Sequence, residues 1–445
     1  MVDTIEAPTR RRHLFTSTLT ITALTVAARL AIALRDILVA RQFGVSSNVD
    51  AFFIALALPT LLAVAISGAL QTAVVPAEVE FREIGRPAND LLVPLVRALG
   101  KWLVLVAALI GLLAWPIVHL LGSGFDDATA STARGLLCLV AVIVVLSGVS
   151  GVLSGGLASQ RRFGLAVSGQ VLNGVTAVVC FIAFHGALGI TAAALGVVLG
   201  HVVEVTWLSV ASGVRVPAIF SGRADAQQRA AANAALRSAA PLLVATLLTS
   251  ANTVIDQGFA AALPSGSVAA LGYASKLVLF AGIPLAAVSL AAFPSLSELA
   301  SRGDVERLRH QVLLRGMQIV VLGAVLAVGV VVAGWLLLDH VLTSSSATSV
   351  SAITGTLAAY AVMLPAYGAG ILLARVLTAV GRSRWVMVVA GFNAVLNCVG
   401  DWWLREVFGL KGIAMSTALV QTVSCLVLAA LLSAALRPST DPTRT

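Results

Sequence analysis

The sequence predicts an all-α integral membrane protein of about twelve transmembrane helices, arranged as two six-helix lobes with both termini in the cytoplasm. Three observations carry that expectation. Hydrophobic residues make up 59% of the 445 residues and charged residues only 11%, about half the charged share of a soluble domain. The apolar runs are long enough to span, and the loops between them alternate between basic and nearly uncharged. The two halves of the chain also repeat one another in their punctuation.

A bilayer core takes about 20 apolar residues. Inside it every backbone polar group must be satisfied within the segment, so each long run is expected to be a helix. Six runs fill the first half, at 14–41, 50–76, 94–121, 132–158, 164–185 and 188–212. Six more follow at 236–262, 267–297, 312–341, 349–378, 385–404 and 410–435. One set of connections carries Arg10, Arg11 and Arg12, then Arg82, Arg86, Arg97 and Lys101, then Arg161 and Arg162. It continues through Arg215, Arg223 and Arg229, Arg302, Arg307 and Arg309, Arg382 and Arg384, to Arg437. The other set holds GSGFDDATAS after Leu121, HGALG at His185, LPSGSVAA after Ala262 and TSSSATS after Leu342, with Arg405 and Lys411 as its basic exceptions. Lys and Arg concentrate in short cytoplasmic loops. The alternation therefore gives an even number of spans and two cytoplasmic ends.

The expected layout is a tail over 1–13, an N-terminal lobe over 14–212, a cytoplasmic linker over 213–235, a C-terminal lobe over 236–436 and a tail over 437–445. EVEFREIGR shortly after Pro76 matches SLSELASRGD after Pro294, each closing an apolar helix with charge. Later, SQRRF before QVLN (Gln170 to Asn173) matches GRSRW before AVLN (Ala394 to Asn397). A twofold repeat of this kind suggests a transporter with its cavity between two bundles.

Several classes of function are excluded on chemistry. The net charge of +9 is spread over loop clusters, as membrane topology requires, so nucleic acid is not an expected partner. There is no Walker A pattern for nucleotide hydrolysis. No His cluster or Cys pair has metal-ligand spacing. Cys138, Cys180, Cys398 and Cys425 all lie in apolar segments and read as packing residues. No cofactor, no metal and no catalytic residue is expected, and the loops are too short to hold a catalytic domain. Asp126 and Asp127 read as a solvated loop end. The basic start runs on into Arg29 and Arg35 without a small-residue cleavage pattern, so no cleaved signal peptide is expected.

The informative residues are charges inside the spans, which cost roughly 2.5 to 3.5 kcal/mol each at a helix centre. Arg29, Arg35, Asp36, Arg41 and Asp50 lie in or beside the strongly apolar stretch 29–76. Arg29 and Arg35 fall within about 120° of each other around a helix, and Asp36 lies almost on the face of Arg29, where it can neutralise one arginine. In the second half, Asn252 and Asp256 share a face, Lys276 lies in the eighth span and Arg375 in the tenth. His201 and Glu204 share a face of the sixth. Asp36, Glu204 and Asp401 fit structural ion pairs best; Asp36, Asn252 and Asp256 are candidates for ion coupling or charge balance. Arg29, Arg35, Lys276 and Arg375 outnumber their acidic partners, and an excess of cations of this kind calls for an anion such as phosphate.

RDILVARQFGVSSNVDAFFIALALP with GALQTAVVP closely resembles the opening two helices of MurJ-type (MviN-like) lipid II flippases of the MOP exporter superfamily. GYASKLVLFAGIPLAAVSLAAFPSLSELAS is similar to the eighth helix of that family, and SGVLSGGLASQRRFGLAVSGQVLN to its fourth and fifth. The resemblance implies a MOP/MATE-like two-lobed bundle that carries undecaprenyl-pyrophosphate-linked sugars to the outer leaflet. By motif position it implies cavity residues at Arg29, Arg35, Asp50, Lys276 and Arg375. Lys276 stands in Tyr273-Ala274-Ser275-Lys276, where the family has Y-A-D-R, so the charge stays but the planar fork is lost. The chain departs from the family after Leu58-Pro59-Thr60-Leu61-Leu62: Ala63 and Val64 replace an Arg-Arg pair, and Ser67-Gly68-Ala69 replaces E-G-A. Two C-terminal helices found in many peptidoglycan flippases also have no counterpart in the sequence. Both departures bear on which glycan is carried.

The expected function is therefore a flippase for a polyprenyl-pyrophosphate-linked saccharide in the bacterial cytoplasmic membrane. It would work by alternating access around a cationic central cavity, with a lipid II-like precursor as first candidate cargo. A capsule or exopolysaccharide repeat unit is the alternative cargo. A multidrug or cation antiporter expects acidic rather than basic cavity residues, and a non-transporting scaffold gains nothing from costly buried cations. The expected partners are the lipid-linked sugar, the bilayer, and envelope polymerase or glycosyltransferase proteins. Membrane potential, a coupled ion or product removal could each drive such a transporter.

Overall fold

The computed structural model describes residues 7–87, 89–214, 225–341 and 347–436. Arg215 and Arg223 of the expected linker, the stretch 342–346 and the tail from Arg437 lie outside the described residues. Among the described residues the chain is helical, with no strand. The first half contains α1 (Ala7–Phe43), α2 (Ser47–Glu83), α3 (Leu92–Leu112), α4 (Ala114–Leu121), α5 (Asp127–Val140), α6 (Ile143–Ser159), α7 (Phe163–Leu188) and α8 (Thr191–Ser212). The second contains α9 (Ala226–Ala261), α10 (Ser267–Ser301), α11 (Val305–Val341), α12 (Ala347–Ala361), α13 (Leu364–Ala379), α14 (Ser383–Phe408) and α15 (Leu410–Ala435).

Eleven helical segments among the described residues are long and apolar enough to cross a membrane, with α5–α6 and α12–α13 each forming one broken span. The expected twelfth is α1, whose 37 residues suffice in length. The helix ends follow local chemistry. Asp126 caps α5 by accepting from the Thr129 amide at 3.2 Å. Asp225 opens α9 with a capping box, accepting from the Gln228 amide at 2.7 Å while Gln228 Oε1 accepts from the Asp225 amide at 3.0 Å. The second part of the expected linker is thus helix.

The chain divides into two compact units: Met1–Phe43 with Ala51–Ser250, and Gly44–Asp50 with Ala251–Thr445. The division falls within α9 rather than in the polar linker, because Ala232, Ala235 and Ala239 pack into the core of the first unit with Leu91, Leu92, Leu95 and Leu153. Lipid is as apolar as leucine, so such helices associate through close packing of small residues. α6 shows how: a Cβ on Gly151 would stand 2.7 Å from the Ser67 carbonyl of α2, and one on Gly155 3.0 Å from that of Gln71.

The internal repeat is visible in the helix boundaries. α7 and α14 both run 26 residues, start after Arg162 and Arg382, and end at Gly189 and Gly409, which share nearly identical backbone angles. Arg161 and Gly381, also 220 positions apart, both have positive φ in the turn before these helices. This frame corrects one sequence match. Asn173 corresponds to Asn393, not Asn397. Each tethers its helix to the next across 31 residues, Asn173 Nδ2 donating to Glu204 Oε2 at 2.7 Å and Ser424 Oγ donating to Asn393 Oδ1 at 2.6 Å. Pro76 and Pro294 stay matched with the turn glycines Gly85 and Gly303 that follow them.

Candidate functional site

In the first unit, α1 carries the two candidate cations. Arg29 is exposed. Arg35 is engaged: its Nη2 and Nε donate to Asp36 Oδ1 at 2.8 and 3.1 Å, and its guanidinium carbon lies 6.0 Å from the Phe52 ring centroid. Both side chains of the pair are about nine-tenths covered, at 11% and 10% exposure. Helical periodicity points Asp36 toward Arg29. The neighbouring Arg35 wins because its long arm folds back and offers two donors to one oxygen. Glu204, expected in an ion pair, is held instead by the Asn173 amide.

The second unit carries the rest. Lys276 on α10 and Arg375 on α13 are both half-buried, and Arg375 lies 5.9 Å over the Phe293 ring. Asp50 is 2% exposed, and both its oxygens are taken: Oδ2 accepts from the Gly266 amide at 2.5 Å and Oδ1 from the Ala269 amide at 2.7 Å. The carboxylate therefore caps the N-terminus of α10, where free amides and the helix dipole favour an anion. Each oxygen accepts one amide, so Asp50 anchors the start of α10.

Asp256 is the centre of a buried polar cluster that draws on four helices. It accepts from Tyr360 Oη at 2.9 Å, Thr417 Oγ1 at 3.0 Å and Asn397 Nδ2 at 2.5 Å. Asn397 Nδ2 also donates to Asp401 Oδ2 at 3.2 Å. These three donors to Asp256 are all neutral. Asp401 and Asn397 are fully buried, and among the described residues their Oδ1 atoms have no hydrogen-bond partner. Asn252, one turn before Asp256, likewise leaves its Oδ1 buried and unpartnered among those residues. Two carboxyls so placed call for a proton or another positive charge.

The repeat shows that the fold alone does not demand this cluster. In the 220-residue frame, Tyr360, Asn397, Asp401 and Thr417 correspond to Val140, Ala177, Phe181 and Val197, all buried and apolar. Asp401 thus sits in a shared polar cluster rather than in the structural ion pair expected for it. Sequence alone misses Tyr360, Asn397 and Thr417 because each meets Asp256 across more than 100 positions. The available signal is the run of polar side chains at Asn393, Asn397 and Asp401 on one face of an apolar helix.

These features define a class, a polytopic helical membrane protein with charges inside the spans of both units. The profile described as "Lipid II flippase MurJ" matches residues 39–442. The chain belongs to that family. It is 28% identical over 302 residues to the lipid II flippase MurJ of Burkholderia cenocepacia, an alignment covering 64% of this chain and 57% of that relative. Its fold is similar to a solved "Lipid II flippase MurJ, inward closed conformation", with a TM-score of 0.80 at 19% identity, covering 93% of this chain and 87% of the other. It is also similar to an inward-facing multidrug resistance MATE family transporter of the MOP superfamily, with a TM-score of 0.76 at 16% identity over 95% of this chain and 99% of that one. These two likenesses concern the fold.

Proposed function

We propose that this protein moves a polyprenyl-pyrophosphate-linked saccharide, a lipid II-like peptidoglycan precursor first of all, from the inner to the outer leaflet of the bacterial cytoplasmic membrane. The observation that carries the reading is the half-buried Lys276 and Arg375 in membrane-length segments of a MurJ-family chain. A pyrophosphate-sugar head cannot enter hydrocarbon alone, because its charge and hydroxyls lose water without compensation. Arg29, Arg35, Lys276 and Arg375 supply that compensation in a cationic cavity, while the prenyl tail stays in lipid. Arg35 contributes through donors beyond those spent on Asp36, since a guanidinium carries five. Alternating access of the two lobes then moves only the head group.

The Asp256–Asn397–Asp401 cluster supplies the coupling: it takes up one positive charge, a proton or a monovalent cation, and differs in occupancy between the two states. The basic loops orient both termini toward the cytoplasm. The test is transport of a polyprenyl-diphosphate disaccharide by purified protein in liposomes, read as exposure of the head group on the far leaflet. Transport that falls in Lys276→Gln and survives in Lys276→Arg supports the reading. A small-cation antiporter is the second reading, favoured by the same uncompensated cluster; it predicts cation exchange indifferent to added saccharide lipid.

A further inference from the structure

The acidic cluster of the second unit is closed at one end by a cation on its own helix. On α9, Asp256 is followed three residues later by Phe259; on α14, Asp401 is followed four later by Arg405. The Arg405 guanidinium carbon lies 4.9 Å from the Phe259 ring centroid, so the layer beyond the carboxyls on these two helices is a cation on an aromatic face. The other two helices continue that layer. Gly355 of α12 comes five residues before Tyr360, and Lys411 of α15 six before Thr417. A Cβ on Gly355 would meet the Lys411 Cε and Nζ, so the Lys411 amine lies across Gly355. Gly409, whose amide donates to the Arg405 carbonyl at 2.8 Å, turns the chain from α14 into α15 and keeps Lys411 at the same end as Arg405.

Arg405 is held lightly in this position. Its Nε donates to Glu406 Oε1 at 3.3 Å; the Glu406 side chain is 68% exposed and that of Arg405 21%. An ion pair whose acid is exposed and a cation–π contact at a partly covered site are both weak holds. One turn back along α14, the buried Asp401 Oδ1 has no hydrogen-bond partner among the described residues. Residues i and i+4 are side-chain neighbours on a helix, so rotation about the Arg405 side-chain bonds suffices to bring its guanidinium to that oxygen.

We propose that Arg405 is a tethered counter-cation for the cluster: held over Phe259 it leaves Asp401 Oδ1 to a monovalent cation, and turned inward it takes that oxygen and expels the cation. The proposal rests on the reading that the cluster takes up one positive charge. It makes Arg405 a positioning residue that sets how tightly the coupling charge is held, with Lys411 adding to the same repulsive end.

The test uses the purified full-length protein in detergent, with its unfolding midpoint followed against sodium chloride, ionic strength held constant with choline chloride. A parallel pH series in choline chloride covers a proton as the bound charge. Arg405→Gln is expected to lower the sodium concentration for half-maximal stabilisation about tenfold, or to move the pH response about one unit upward, on the scale of ordinary site coupling. Arg405→Lys should restore the wild-type response, since its ammonium also reaches position i−4. Asp401→Asn should abolish the response. A normal response in wild type, abolished in Asp401→Asn yet unchanged in Arg405→Gln, overturns the proposal and leaves the cluster reading intact. A wild type that answers neither sodium nor pH removes the cluster reading, and this proposal with it.

Discussion

At the scale of single residues, the Arg35–Asp36 pair changes what a simple charge deletion reports. Arg35→Ala takes from the nearly buried Asp36 the guanidinium 2.8 Å away, which should cost about 1–3 kcal/mol of stability, seen as a lower unfolding midpoint. The double variant Arg35→Ala with Asp36→Asn should regain stability yet stay transport-deficient if, as proposed, the guanidinium is the group that meets phosphate. Full transport by the stable double variant would remove Arg35 from the binding set. Asp50 makes the contrasting case. Asp50→Asn keeps the shape but offers one acceptor oxygen to two amides, so we expect a loss of about 1–3 kcal/mol in thermal unfolding. That Asp50 is costly at its depth is legible in the sequence. Its partners, Gly266 and Ala269, lie more than 210 positions away, and no local pattern names them.

At the scale of elements, the spans are readable because apolar length alone defines them. The breaks within them are not. α5 gives way to α6 at Ala141 and Val142, and α12 to α13 at Val362 and Met363, with no glycine at either break and Pro365 only after the second. The matched position of the two breaks is a property of the repeat and not of local propensity. Packing between elements is open to test at Gly151, where α6 meets α2 backbone to backbone. Gly151→Val forces the helices apart and should cost about 1–3 kcal/mol, measured as a lower melting temperature with helix content retained. The start of α9 gives a pH-linked effect. The Gln228 amide, and after it the Arg86 guanidinium at 2.7 Å, hold the Asp225 carboxyl below the usual carboxylate range. Its contribution is fully present above the ordinary carboxylate pKa and is lost as pH falls through the lower folded value. Asp225→Asn should weaken that acid dependence in an unfolding series from about pH 6 to about pH 2, which brackets the normal Asp pKa.

At the scale of the whole molecule, the repeat gives two halves whose equivalent buried positions differ in polarity. The same frame that buries Val140, Ala177, Phe181 and Val197 in the first unit buries Tyr360, Asn397, Asp401 and Thr417 in the second. A duplicated scaffold thus carries the acidic cluster in one half only. The loop charges predict its orientation: reporter fusions at Ser123, His185 and Ser265 should read as external, and those at Arg86 and Arg302 as cytoplasmic. A cytoplasmic signal at Ser265 would contradict two halves of equal orientation. The most direct test of the central claim is head-group translocation in liposomes containing the purified protein and a polyprenyl-diphosphate disaccharide, normalised to folded protein. The account predicts far-leaflet exposure well above protein-free liposomes, kept in Lys276→Arg and reduced at least about tenfold in Lys276→Gln, the scale of one lost charge-assisted contact. Exposure equal to protein-free liposomes, or full activity in a stable Lys276→Gln protein, would contradict it.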